Sequence, residues 1–262
     1  MKFLRYVALL CTSLPTLVPA LTISAVLGGA VVLSSGCSSI DKYDTSKPEG
    51  LFAQGELYEK DERYEEAVAK YTEVKNKFPY SKLATEAELK IADVNFKREA
   101  YVEAQSAYQL FKEFHPKHPQ ADYVTYRLAL SYFKQLPDSI DRDLSVADKA
   151  ILYFDEVISS YSTSQYAEDA KVKKSAALKM LALKEMYIAN FYAKHKQFDS
   201  ALKRYETVLK TYPNLGLDAE ALYGAARSAI ESGEKERGEQ HLKNLYSLYP
   251  NTDEARRAKH EF

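Results

Sequence analysis

One pattern of small and large side chains recurs five times along the chain. A small residue opens each copy, a large residue follows four positions later, and another apolar residue follows three positions after that. The small residues are Ala67, Ala104, Ala150, Ala201 and Gly238. The large residues are Tyr71, Tyr108, Phe154, Tyr205 and Leu242, and the apolar residues after them are Val74, Phe111, Val157, Val208 and Leu245. Because positions three and four apart share a helix face, each copy predicts an amphipathic helix that a neighbouring helix can approach closely.

A second set of small and large residues lies upstream of every copy and predicts a preceding helix. These upstream sets are Gly55 and Tyr58, Ala92 with Asn95 and Phe96, Ala129 and Tyr132, Ala189 and Tyr192, and Ala226 and Ala229. Four of the five copies end in a proline, which stops a helix because it has no N–H to donate. Helix pairs repeated in this way are the tetratricopeptide (TPR) pattern. We therefore predict an all-α, right-handed TPR solenoid of five helix hairpins with a concave face.

The spacing of the copies predicts where the hairpins differ. The small residues are 37, 46, 51 and 37 positions apart, so two hairpins carry insertions. The first insertion, about Gln135 to Val146, is polar and predicts a loop between two helices. The second extends Gln165 to Lys194 without Gly or Pro and predicts a helix of about 30 residues. The predicted solenoid covers 51–262, with hairpins at about 51–79, 85–116, 122–162, 166–213 and 219–250.

The amino end has the layout of an export signal. Lys2 and Arg5 precede an apolar run that carries no further charge until Asp41. The segment Leu33 to Ser39 resembles the lipobox of bacterial lipoproteins, in which the cysteine, here Cys37, is acylated and becomes the first mature residue. Ser34 stands where that motif usually has a large aliphatic residue. We predict a lipoprotein signal at 1–36 and an acylated cysteine with a flexible, polar tether at 37–50; an uncleaved membrane anchor is the alternative.

Composition argues against several classes of function. The first 36 residues contain two of the 36 basic side chains and none of the 37 acidic ones, so the remainder carries a net charge of about −3 and has no general attraction to nucleic acid. Glycine is absent between Gly55 and Gly216, which excludes glycine-dependent phosphate loops and nucleophile elbows there. Both cysteines lie at or before position 37. No catalytic constellation is recognisable, and we predict neither enzymatic activity nor a cofactor.

Metal binding is not indicated either. His115 and His118 lie in a proline-flanked turn, with no carboxylate cluster close to them in the sequence. Asp138, Asp141 and Asp143 lack the glycine and the closing glutamate of a calcium loop, and they fit loop solvation or helix capping better.

Four longer stretches resemble one known family. They are HPQADYVTYRLALSYF at 118–133, the Asp141-Arg142-Asp143 insertion, YSTSQYAEDAKVKK at 161–174, and LKEMYIANFYAKHKQFDSALKRYETVLKTYP ending at Pro213. The chain is similar there to the BamD (ComL) family, the TPR lipoproteins of the outer-membrane β-barrel assembly machinery. The resemblance implies a lipid-anchored, periplasm-facing protein of a Gram-negative outer membrane. It also implies that the amino-terminal repeats receive unfolded outer-membrane proteins and that the carboxy-terminal repeats dock on the BamA barrel protein.

The first helix of each TPR hairpin lines the concave surface, which predicts a peptide-binding groove in the first three hairpins. The groove candidates are Phe52, Glu56, Leu89, Asp93, Phe96, Lys97, Tyr123, Tyr126, Leu130, Phe133 and Lys134. Apolar and aromatic groups with two lysines suit an apolar strand that ends in a carboxylate. Several of these residues, Leu89 and Leu130 above all, are equally compatible with an ordinary helix core.

The resemblance also points to a partner-binding segment in a later repeat. Lys203 and Arg204 match the family segment that faces BamA, and an arginine can bind a carboxylate bidentately. A solvated helix face is the competing interpretation of both residues. The competing function is that of another envelope TPR lipoprotein, such as a pilotin that binds a secretin subunit, which would lack the two insertions.

Overall fold

The computed structural model describes residues 43–262, which form eleven helices and no strand. Ten of these helices pair into five hairpins. In chain order the hairpins are α1 (Pro48–Lys60) with α2 (Tyr64–Lys77), α3 (Lys82–Lys97) with α4 (Tyr101–Phe114), α5 (Ala121–Phe133) with α6 (Val146–Ser160), α7 (Ala167–Lys194) with α8 (Phe198–Thr211), and α9 (Asp218–Glu231) with α10 (Lys235–Leu248). A last helix, α11 (Asp253–Glu261), follows the fifth hairpin. The all-α prediction is confirmed.

Each helix packs against the next one along the chain, as expected for a solenoid. Contacts that skip a helix join the first helices of successive hairpins, such as α1 with α3 and α7 with α9. The first helices therefore lie on the inner side of the curve. The predicted signal at 1–36 and Cys37 lie outside the described residues.

The recurring small residues pack as predicted. Ala67, Ala104, Ala150 and Ala201 are fully buried, and the large residues four positions later fill the interior of each hairpin. Gly238 replaces alanine in the fifth hairpin, and a Cβ there would lie 2.6 Å from Cγ1 of Ile230. The glycine therefore admits a closer approach between α10 and α9 than an alanine would.

The two insertions have different structures. The first is the loop at 134–145, which Lys184 of α7 holds by donating a hydrogen bond of 2.8 Å to the Arg142 carbonyl oxygen. The second lengthens α7 to 28 residues, close to the predicted length. Helices α1 and α3 begin at Pro48 and Lys82, three residues before the predicted starts at 51 and 85. The fixed φ of Pro48 suits the first turn of a helix, and the Ser81 hydroxyl caps the first turn of α3. Both helices therefore start earlier in the sequence than predicted.

The first helix of four hairpins ends in the same left-handed turn. Glu62, Glu99, Lys196 and Gly233 all have positive φ, between 57° and 92°. The next residue donates its N–H back across the turn, for example from Ala100 to the Asn95 carbonyl at 2.9 Å, which is the Schellman arrangement. Only the fifth hairpin uses the glycine that this backbone conformation favours.

Glycine at these turns should stabilise the protein. Left-handed backbone costs a residue with a side chain about 1–2 kcal/mol, and the extra chain entropy of glycine offsets part of that gain. We expect Glu99→Gly to raise the free energy of unfolding by about 0.5–1 kcal/mol, measured by urea denaturation. Gly233→Ala at the matched position of the fifth hairpin should lower it. A lower stability for Glu99→Gly would contradict this account.

Candidate functional site

The inner face of the first three hairpins contains a cavity of about 440 Å³. Phe52 of α1, Leu89 of α3 and Tyr123 of α5 provide its apolar and aromatic walls. The polar and charged residues that line it are Glu56, Glu86, Lys90, Asp93, His118 and Gln120. The sequence-predicted groove residues Phe52 and Tyr123 thus share one cavity, although Phe52 is only 9% exposed and also packs on the Tyr71 ring at 5.2 Å.

A hydrogen-bonded cluster holds the α5 side of this cavity in place. Oδ1 of Asp93 accepts hydrogen bonds from the hydroxyls of Tyr108, at 2.6 Å, and Tyr123, at 2.7 Å. Burial raises the pKa of both phenols, and the negative charge of Asp93 raises it further. Both tyrosines therefore remain protonated donors at neutral pH.

Arg127 extends the cluster to the predicted groove residue Phe96. Its Nε donates to the Tyr108 hydroxyl at 3.1 Å, and its guanidinium carbon lies 3.7 Å from the centre of the Phe96 ring. The cation therefore fixes the aromatic ring by a cation–π contact. Arg127 was not among the predicted site residues, although its position four residues after Tyr123 puts both on one face of α5.

The predicted groove residue Lys97 forms an ion pair within the chain. Its Nζ donates to Glu59 of α1, whose carboxylate also accepts hydrogen bonds from Tyr71 at 2.9 Å and Lys90 at 3.1 Å. The Glu59 side chain is only 8% exposed. Burial by itself raises the pKa of this carboxyl, but the hydrogen bonds from Lys97, Tyr71 and Lys90 together lower it below its ordinary value.

The remaining groove candidates lie towards the third and fourth hairpins. Tyr126 stacks on Tyr166, with 4.8 Å between ring centres, and donates a hydrogen bond to Asp169 of α7. Phe133 meets the buried Phe154 edge to face at 6.0 Å. Lys134 follows the end of α5, is exposed, and forms no ion pair with any other residue in the range 43–262.

Of the two predicted partner-binding residues, one forms an ion pair within the described part of the chain and the other does not. Nη1 of Arg204 lies 2.9 and 3.2 Å from the two carboxylate oxygens of Glu185 on α7, so its orientation is set within the chain. The Lys203 side chain is exposed, and none of the ion pairs in the described part of the chain involves it.

The described residues contain neither a membrane-spanning helix nor a cluster of metal ligands. No helix within 43–262 is long and apolar enough to cross a bilayer. That same range contains no group of three or more His, Cys, Asp or Glu side chains placed to hold a metal ion.

Comparison with known proteins gives consistent matches. The YfiO family, described as outer membrane lipoproteins, matches residues 44–223, and a tetratricopeptide repeat family matches residues 220–252. The chain is 30% identical to the outer membrane protein assembly factor BamD of Caulobacter vibrioides over 220 residues, which cover 82% of this chain and 71% of the relative. It is 29% identical to BamD of Rickettsia prowazekii, with 88% and 92% covered.

The solved structures that align with the chain are more distant. The TPR2AB domain of yeast Sti1, in its complex with pHSP90, aligns with a TM-score of 0.41 at 16% identity, and the alignment covers 81% of each chain.

The Glu59 cluster predicts a specific pH dependence of stability. The folded protein lowers the pKa of this carboxyl below its ordinary value of 4.5, so the ionised form stabilises the fold above that pH and the contribution disappears as the pH falls. Glu59→Gln should therefore lower the free energy of unfolding by about 1–3 kcal/mol at pH 7 and by progressively less in acid, measured by urea denaturation.

Glu66→Gln provides the matched control, because Glu66 forms an exposed ion pair with Arg63. We expect that substitution to change stability little at any pH. A deficit for Glu59→Gln that stays constant from neutral to strongly acidic pH would contradict the assigned role of the charge.

Proposed function

The chain belongs to the BamD family of YfiO-type outer membrane lipoproteins, and we propose that it is a non-enzymatic assembly factor that binds unfolded β-barrel precursors and passes them to a BamA barrel. The family match covers 180 residues, from 44 to 223, and includes both insertions. In this proposal Cys37 is acylated, residues 1–36 are removed, and the solenoid faces the periplasm. Acyl chains of that kind hold a protein on a membrane without apolar protein surface.

The cavity between α1, α3 and α5 supports binding of an extended peptide. Its apolar lining consists of Tyr123 and of the largely buried Phe52 and Leu89, and alternate side chains of a strand would contact this lining. The Asp93 and Arg127 cluster holds Tyr123 and Phe96 in one orientation before any client arrives, and such preorganisation lowers the entropy lost on binding. This preformed aromatic wall is the observation that carries the proposal.

We assign the client carboxylate to Lys134 rather than to Lys97. Glu59 already neutralises Lys97, and moving that lysine to a peptide would leave a nearly buried carboxylate with fewer partners. Lys134 can bind a carboxylate without breaking an ion pair, because it is exposed and forms none within the described residues. An extended client that packs on the aromatic wall would then place its terminal carboxylate beyond the end of α5.

Charge reversal at Lys134 should weaken binding of a peptide with a free terminal carboxylate. The probe is a labelled carboxy-terminal peptide of an outer-membrane β-barrel, in acid and amidated forms, titrated by fluorescence anisotropy. We expect Lys134→Glu to raise the Kd of the acid form about tenfold and to affect the amidated form much less. Lys179→Glu, the same change at an exposed α7 lysine, should alter neither.

The outcomes separate two ideas. Equal weakening of both peptide forms by Lys134→Glu would reject the contact between Lys134 and the carboxylate, but the groove would remain the proposed client site. Binding of neither form to the unaltered protein would reject the groove as the client site.

For the BamA partner we propose the surface around Lys203 and Arg204. The ion pair to Glu185 holds the Arg204 guanidinium in place, with its Nη2 and Nε atoms free of other hydrogen bonds in the described part of the chain. A preset guanidinium loses less entropy when it meets a carboxylate on a partner.

Substitutions in this segment should reduce the amount of BamA that co-purifies from mildly solubilised membranes. We expect Lys203→Glu and Arg204→Ala each to lower recovery several-fold, with thermal unfolding unchanged within a few degrees. Glu185→Gln removes the ion pair that presets Arg204 but keeps the guanidinium, so it should lose less BamA than Arg204→Ala does. Equal losses for Glu185→Gln and Arg204→Ala would show that the ion pair within the chain, and not a contact between Arg204 and BamA, accounts for the lost recovery.

Recovery of a secretin in place of BamA would contradict the assembly function.

A further inference from the structure

Two exposed aromatic side chains lie at one edge of the solenoid. Tyr80 lies in the turn between α2 and α3 and is fully exposed, and Phe114, which ends α4 just before the next such turn, is 73% exposed. These turns join successive hairpins, so both aromatics lie at the edge where second helices end and the next first helices begin. We call residues 77–82 and 114–120 the turn edge.

The backbone of the turn edge is well ordered by hydrogen bonds. Ser81 N–H donates to the Phe78 carbonyl at 2.9 Å, and the Ser81 hydroxyl accepts from Leu83 N–H at the start of α3. In the second turn His118 N–H donates to the His115 carbonyl at 3.0 Å. The two aromatic side chains are therefore presented on fixed turns, and no residue in the described part of the chain covers them.

Lysine side chains lie in the same two turns as the exposed aromatic side chains. Lys82 and Lys117 are exposed, and neither makes an ion pair within residues 43–262. Lys77 is paired with Glu73 inside α2. The Tyr80 ring is apolar and ends in a hydroxyl, and the Phe114 ring is apolar throughout. Such rings next to lysines without ion pairs match the interfacial region of a membrane with anionic lipids.

The tether begins at this same edge. Helices α1 and α2 form an antiparallel hairpin, so the start of α1 at Pro48 lies beside the end of α2 and its following turn. Tyr43, the first described residue, is six positions after Cys37, a distance that an extended chain spans in at most about 20 Å. An acyl group on Cys37 would therefore keep the turn edge close to the bilayer.

We propose that the turn edge of the first two hairpins rests on the lipid surface, with Tyr80 and Phe114 in the headgroup region and Lys82 and Lys117 against anionic lipid. This inference rests on the proposed lipid anchor. Its consequence is a fixed orientation: the solenoid stands on its turn edge, and the inner face with the client cavity runs alongside the membrane rather than turning freely on the tether.

The absence of tryptophan from the chain allows a direct test. Single-tryptophan variants Tyr80→Trp and Phe114→Trp of the full acylated chain are placed in vesicles of phosphatidylethanolamine and phosphatidylglycerol that contain brominated lipids as quenchers. The control is Tyr187→Trp. Tyr187 is exposed and lies twenty residues after the first residue of α7, which places it about 30 Å along the helix from that end. We expect about a twofold loss of fluorescence at positions 80 and 114, and little at 187.

The lysines are tested in the same variants. Lys82→Glu with Lys117→Glu should reduce the quenching of Trp at position 80, and so should removal of phosphatidylglycerol. A matched pair of charge reversals at Lys179 and Lys194, two exposed lysines of α7, should have no effect.

Three results would overturn the proposal. The first is a chain that floats with the vesicles but shows no more quenching at positions 80 and 114 than at 187; this would leave the anchor and the client site intact. The second is a chain that does not float with the vesicles, which rejects the anchor as well. The third is a blue-shifted emission at position 80 without vesicles, which would mean that a second copy of the chain covers this edge.

Discussion

The close approach of paired helices at small residues is the contact on which the whole structure depends. Ala67, Ala104, Ala150 and Ala201 have no exposed surface, because each faces the neighbouring helix of its own stack. A larger side chain at any of them would push two helices apart, and in a solenoid that displacement would pass to every later hairpin. The regular stacking in turn places five first helices along one inner face, which contains the cavity between α1, α3 and α5.

The large residue that follows each small one links this packing to the site. Tyr71 and Tyr108 bury their rings inside the hairpins while their hydroxyls reach Glu59 and Asp93 on the first helices. Tyr205 does the same with Asn190 in the fourth hairpin. In the third hairpin the equivalent residue is Phe154, which has no hydroxyl, and the inner polar contact there is Tyr126 with Asp169 on α7. A core position thus also orients the acceptors of the inner face.

Charge on the inner face is distributed differently from what the residue types suggest. Lys90 and Lys97 converge on Glu59, and Arg127 lies against Phe96 and Tyr108 rather than in solvent. These cations hold the walls of the groove together, so a count of lysines overstates the positive charge that a client would meet. Glu56, Glu86 and Asp93 line the same cavity, which makes its rim more acidic than the sequence pattern alone indicated.

The sequence by itself determined the helix type, the five hairpins, the long α7 and most of the buried residues. It could do so because the helical period and the alternation of small and large residues are local properties that neighbouring positions encode. Only the tertiary structure decided which charged groups are free. Glu59 is 31 and 38 residues from its lysine partners, and Arg204 is 19 residues from Glu185. Such pairs form only when packing brings separate helices within a few ångströms, and no local pattern encodes that distance.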